Sequence, residues 1–182
     1  ATAPKRLAVV GAGPAGLSAA LTAAERGHDV TLFDRSPQAG GQLHLAASIP
    51  GKEEFRGLID WFAARLSAST VQTRLGLEVT AADLQGFDAV ILATGITPRP
   101  AGIPGEEAPQ VLGYREVLRG APVGARVAVV GAGGIGFDVA EYLGHHGTSP
   151  TLDPALWRQE WGVSDPAEVP GGLAPEGPRP EA

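Results

Sequence analysis

The 182-residue chain has no cysteine, which excludes a disulfide framework, a thiol redox pair and any cysteine-ligated metal or cluster within it. It has no cluster of Lys and Arg, and its formal net charge is −6. That balance argues against nucleic acid or an anionic membrane surface as a partner. No apolar run approaches the roughly 20 residues needed to span a bilayer. No signal-peptide pattern opens the chain, so the expected compartment is cytoplasmic. The four histidines, His28, His44, His145 and His146, have no metal-binding spacing with carboxylates, and no metal site is expected. The chain begins at Ala1 without an initiator Met and ends in a Pro/Gly-rich stretch; it is expected to be an excerpt of a longer protein.

What the chain does have is glycine, 26 residues of it, roughly twice the usual share of about 7%. The 16 prolines could point with it to disorder, but much of the glycine falls between apolar runs, which points to backbone geometry instead. Leu7–Val10 is a short apolar run leading into Gly11 and predicts a buried parallel strand. From Pro14 to about Arg26 the chain is rich in Ala and Leu and stops at Gly27, the pattern of a helix with glycine past its end. Val30–Phe33, closed by Asp34, predicts a second strand and completes a β-α-β unit within about thirty residues.

Beyond it, residues 36–50 read as a loop containing Gly40 and Gly41. Residues 51–66 carry Phe55, Leu58, Ile59, Phe62 and Leu66 at helical spacing and predict an amphipathic helix; its start explains Glu53 and Glu54 through the helix dipole. Short strands are expected at 71–75 and 77–80, and a buried one at 89–92. Residues 96–110, with Pro98, Pro100, Pro104 and Pro109, read as a connector between domains. A short helix is expected at 114–119, a strand at 126–130, a helix to about His146 and another at 155–161, where Trp157 and Trp161 are one turn apart and suited to packing. The last dozen residues look unpaired.

The chemistry lies in two glycine patterns. The first is Gly11, Gly13 and Gly16, followed by Ala20, Gly27 and Asp34. Gly11 permits the tight turn out of the strand, Gly13 lets backbone approach a pyrophosphate, and Gly16 lets the helix pack on the sheet. The helix start offers free N–H groups and a positive dipole to phosphates. An acidic residue about twenty positions on can bind ribose hydroxyls, and Asp34 has that place. The second pattern, Gly131, Gly133, Gly136, Ala140 and Gly147, repeats the first residue for residue. Its second strand, and the residue that would separate NADH from NADPH, are not visible. Two such units mean either two live dinucleotide sites or a duplication with one dead. The first is favoured, with a resident flavin and an exchanging nicotinamide. Between them, Ile91-Leu92-Ala93-Thr94-Gly95 is a strand ending in small residues, from which the chain leaves one nucleotide domain for another.

Further stretches lie outside the general fingerprint: Gly40-Gly41-Gln42-Leu43; Ile49-Pro50-Gly51-Lys52-Glu53-Glu54-Phe55; Pro122-Val123-Gly124; Gly134-Ile135-Gly136-Phe137-Asp138; Glu160-Trp161-Gly162; and Gly171-Gly172-Leu173. With them, essentially the whole chain resembles the C-terminal FAD/NAD(P)-binding region of the NADH:flavin oxidoreductase family, in the group of trimethylamine dehydrogenase and bacterial 2,4-dienoyl-CoA reductase. The resemblance implies FAD contacts at Ala15, Asp34, Gln42, Lys52 and Val79. The candidate cofactor-binding set is completed by Gly11, Gly13, Pro14, Gly16, Arg35, Gly41, Leu43, Ala93, Thr94 and Gly95 for FAD. For NADPH or NADH it is Gly131, Gly133, Gly134, Ile135 and Gly136. No residue is expected to act as an acid or base.

The expected fold is α/β, Rossmann-like, a parallel sheet flanked by helices. Residues 1–110 form the first segment of an FAD-binding domain, and 111–182 the start of a truncated NAD(P)H-binding domain. The resemblance implies a parent chain with a barrel domain carrying FMN and a 4Fe-4S cluster. Hydride from NAD(P)H would pass to FAD, and electrons onward to a second flavin that reduces an unsaturated substrate such as a 2,4-dienoyl-CoA. The alternatives are the same module in an amine dehydrogenase or another enoate reductase, and, from a different class, a non-catalytic dinucleotide-binding sensor.

Overall fold

In the computed structural model, which describes residues 3–179, the apolar run at the start becomes β1 (Arg6–Val10). It is followed by α1 (Pro14–Glu25) and β2 (Asp29–Asp34). β1 pairs in parallel with β2, from Arg6 opposite Asp29 to Val10 opposite Phe33. Two outer strands join them: β3 (Gln72–Leu75) beside β2, and β4 (Ala89–Leu92) beside β1. The four-stranded parallel sheet has the order β3-β2-β1-β4. Ala8, Val9, Val30 and Leu32 are fully buried, because the two central strands are covered on both faces and are apolar continuously rather than alternately.

α1 buries Leu17, Ala20, Leu21 and Ala23; the alanines let the helix axis come close to the strands. α3 (Phe55–Ser67) adds Phe62, with Phe55, Ile59 and Leu66 partly buried around it, the stripe its spacing predicted. It starts at Phe55 rather than Gly51, because residues 49–52 form a turn (Lys52 N–H to the Ile49 carbonyl, 3.0 Å). The loop before it holds a single helical turn, α2 (Leu43–Ala46).

By internal packing the chain divides into two units. One holds residues up to Ala46 together with Phe55–Leu112; the other holds Ala47–Glu54 together with residues from Gly113 onward. The second unit contains α4 (Tyr114–Val117), α5 (Gly134–Gly144), a 3-10 turn (Pro150–Leu152) and α6 (Pro154–Trp161). α6 has a complete pair of end signals. The Asp153 carboxylate accepts from the N–H groups of Ala155 and Leu156, Pro154 opens the helix, and Gly162 closes it in the left-handed region.

Three expectations are corrected. Residues 77–80 form no strand: Leu77 donates to the Asp34 carbonyl, and Thr80 is drawn into a turn by the Asp83 carboxylate at 2.7 Å. Residues 126–130 also form no strand. A strand exists through its ladder, no described segment pairs with this one, and Val130 remains 80% exposed. The tail is not unpaired. Ser164 N–H donates to the Gly172 carbonyl, Ala174 N–H to Gly162 and Arg179 N–H to Glu160, folding residues 172–179 back on the end of α6; residues 180–182 lie outside the described residues.

Leu32→Ala, deleting a fully buried side chain of β2, is expected to cost about 2–5 kcal/mol in urea unfolding. Leu77→Ala, at an exposed position, is expected to stay within roughly 0.5 kcal/mol.

Candidate functional site

β1 ends where the chain must reverse into α1, and the turn is made by Gly11 at φ +109°. A side chain there would collide with the Ala93 carbonyl at the end of β4, and one on Gly16 would collide with the Gly11 carbonyl. Both glycines are therefore demanded by close packing. Gly13 differs. It caps α1 in an extended conformation (φ −75°, ψ 179°), and a Cβ built on it meets no atom within 4 Å. The space over Gly13 is open, as a berth for a diphosphate requires. Pro14 has no N–H to leave unsatisfied, and Ala15, exposed in the first turn, presents one that no helical carbonyl can reach.

Asp34 organises the rim. One carboxylate oxygen accepts from the Ala12 N–H at 2.5 Å and the other from Ser36 N–H at 2.7 Å. A carboxylate has about four acceptor positions, so two remain for ribose hydroxyls. The Gly40 N–H donates to the Ala12 carbonyl at 2.8 Å, and a Cβ on Gly41 would come within 2.9 Å of the Gly13 α-carbon. The glycine pair is thus laid directly against the loop. Gln42 is exposed next to it, and its amide nitrogen lies 4.0 Å from where a Cβ on Gly95 would stand. Leu43 instead puts its side chain into the core and its N–H on the Gly40 carbonyl.

Gly76 and Leu77 donate to the carbonyls of Ser36 and Asp34, so the segment carrying half-buried Val79 leaves from the Asp34 end of the sheet. Ala93 donates to the Val10 carbonyl at 2.8 Å, bringing exposed Thr94 and Gly95 to the same sheet edge; Arg35 is exposed there too. All of these groups collect at the carboxyl ends of the parallel strands, where ligands of open α/β sheets bind.

The second glycine loop has nearly the same backbone. Gly131 is at φ +114°, and Gly133 caps α5 at φ −87°, ψ 179°. A Cβ on Gly136 would collide with the Gly131 carbonyl, while those on Gly131, Gly133 and Gly134 meet nothing within 4 Å. Phe137 N–H donates to the Gly133 carbonyl at 3.1 Å, as Leu17 does to Gly13 at 2.9 Å. Ile135 is exposed in the first turn of α5.

Residues 5–155 match the family model described as pyridine nucleotide-disulphide oxidoreductase. The chain belongs to that family. Its members are NAD(P)H-dependent flavoprotein oxidoreductases, with FAD and NAD(P)H as cofactors. Among similar proteins, an NADH oxidase of Thermoanaerobacter brockii is 38% identical over 155 residues, covering 81% of this chain and 24% of that protein. An N,N-dimethylglycine/sarcosine dehydrogenase of Chromohalobacter salexigens is 47% identical over 105 residues, covering 56% of this chain and 15% of that protein. The solved structure of a 2-naphthoyl-CoA reductase in complex with 2-naphthoyl-CoA superposes with a TM-score of 0.71 at 30% identity, over 79% of this chain and 22% of that one. The chain thus spans about a quarter or less of the length of these relatives.

The two open glycine berths fit the family's two nucleotides. Lys52, an expected FAD contact, lies in the second unit, with its ammonium 2.5 Å from the Asp138 carboxylate on α5. Its neighbour Glu53, for which a helix-start role was expected, is buried and bound across 98 positions of sequence. It accepts from the Thr151 hydroxyl at 2.5 Å, that hydroxyl is 2.9 Å from Ser149 Oγ, and Ser149 Oγ accepts from Gly51 N–H. Burial alone would raise the Glu53 carboxyl; hydrogen bonds from Thr151, from its own backbone, from Ser149 and from Gly51 outweigh it and hold the group below its ordinary 4.5. Asp138, Ser149 and Thr151 carry no sequence signal for these contacts, since nothing local links 52–53 to 138–151. Among the described residues no group of His, Cys, Asp and Glu could hold a metal, and no helix is long and apolar enough to cross a membrane.

Gly13→Ala is expected to leave the thermal midpoint unchanged and weaken FAD binding roughly tenfold or more, about 1.4 kcal/mol, in a fluorescence titration. Gly16→Ala is expected to destabilise the fold itself. For Glu53, a depressed native pKa means that its contribution is complete above the unfolded value and fades as pH falls through the native one. Stability of the wild type is expected to fall on acidification below about 4.5. Glu53→Gln is expected to be less stable at neutral pH and to show a shallower acid slope in denaturant titrations.

Proposed function

We propose that this chain is the electron-entry module of a flavoprotein reductase. Residues 1–110 hold FAD through the first glycine loop and Asp34, and residues 111–182 receive NADPH or NADH at the second. The observation that carries this is the twofold recurrence of one loop geometry, each copy with an open berth over its capping glycine. The bound pair supplies hydride transfer from reduced nicotinamide to flavin. The protein contributes position: helix starts for phosphates, Asp34 for a ribose, and small residues 93–95 at the strand end.

The electrons then pass to a barrel domain of the parent chain carrying FMN and an iron–sulfur cluster, which reduces an unsaturated substrate such as a 2,4-dienoyl-CoA. The likeness to a reductase of an aromatic CoA thioester supports this. The 47% identity to a dimethylglycine/sarcosine dehydrogenase supports a second reading, in which the same module serves oxidation of a methylated amine. A cytoplasmic location is part of the same proposal.

The chain mixed with FAD is expected to yield a yellow complex whose flavin absorbance bleaches anaerobically on adding NADPH or NADH. A chain that binds ADP and never flavin would instead be a nucleotide sensor. Among whole-protein substrates, bleaching reversed by an enoyl or dienoyl thioester supports the reductase, and flavin reduction by a secondary or tertiary methylamine supports the dehydrogenase.

A further inference from the structure

The Gly40–Gly41 pair lies against Gly13, and nothing in its own covalent structure holds it there. Both glycines are in the left-handed region, at φ +120° and +55°, and neither has a side chain to anchor the loop. Its order comes from neighbours. The Gly40 N–H donates to the Ala12 carbonyl at 2.8 Å. A second anchor is His44, on α2, whose Nε2 lies 2.8 Å from the Ala39 carbonyl five residues back. A carbonyl only accepts, so this nitrogen carries a proton and donates it. The ring crosses over Gly40: a Cβ built there would come within 2.7 Å of Nε2 and 3.1 Å of Cδ2. The imidazole thus fills the place of the missing side chain and clasps the two ends of the 39–44 loop together. Between those ends sit Gly41, packed on the Gly13 α-carbon, and exposed Gln42. His44 is itself exposed, so its removal takes nothing from the core. What it contributes is order in the loop.

We propose that His44 is a positioning residue for FAD. By donating to the Ala39 carbonyl across Gly40, it holds the glycine pair and Gln42 in the shape that flanks the berth over Gly13. A loop already held in that shape loses less freedom when a nucleotide binds. This rests on the first loop binding FAD, and it adds to the contacts at that loop a residue that acts only through its neighbours.

FAD titrations followed by flavin fluorescence, together with thermal midpoints of the FAD-free chain, test it in two variants. His44→Phe keeps a ring over Gly40 and removes the donor. It is expected to weaken FAD binding about three- to tenfold, the range of one net hydrogen bond, with the midpoint unchanged. His44→Gln, whose amide N–H has a similar reach, is expected to retain wild-type affinity. Wild-type affinity in His44→Phe overturns the role, as does equal weakening in both variants, or a loss of affinity that tracks a fall in the midpoint. A wild-type chain that binds no FAD overturns the reading of the first site itself, and this proposal with it.

Discussion

The contact on which the structure turns is that between one backbone carbonyl and one α-carbon. In each half the first glycine of the loop points its carbonyl at the third, with no room for a methyl group. That approach forces the chain to reverse within a few residues. In the first half it also fixes the angle at which α1 leaves the sheet, and in both the space around the middle glycine is open. Every other element of the sites is arranged around this reversal. The end of β4 closes over the first loop, and the Gly40–Gly41 pair is laid on its outer side.

Asp34, the residue proposed to bind a ribose, has a structural part as well. Its two backbone hydrogen bonds, to Ala12 and Ser36, tie the glycine loop to the turn after β2. The carboxylate is thereby held in place by the fold itself, so a ligand that bound it would cost little side-chain freedom. In the second half no described residue takes that part, and the apolar segment 126–130 has no ladder to lie in. The loop geometry survives there because it is a local property of Gly131 and Gly136 and does not need the sheet.

The local parts of the structure were therefore the legible ones. Continuous apolar runs flanked by glycine announced β1, β2 and β4, and the stripe Phe55, Ile59, Phe62, Leu66 announced α3. Spacing alone located both loops. What the sequence concealed depends on contacts made across long separations or on partners that a strand requires. Val127 and Val129 look like strand residues, yet they are half-exposed and belong to no strand among the described residues. Glu53 reads as a helix-start acid and Lys52 as an FAD contact by resemblance alone, and only the fold reveals Thr151 and Asp138 as their partners. The tail's return onto α6 depends on glycines at 162, 172 and 177, whose left-handed turns have no periodicity to detect.

The interleaving of the two units along the chain governs how the protein can be dissected. Eight residues of the second unit, Ala47–Glu54, are inserted in the middle of the first. Scissors applied at the proline-rich connector would leave the C-terminal piece without the peptide that carries its lysine and its buried glutamate. The same cut would leave the N-terminal piece with a stranded octapeptide. Evolutionary shuffling of such a protein meets the same obstacle: the halves look alike and repeat one motif, but neither travels as an uninterrupted stretch of polypeptide.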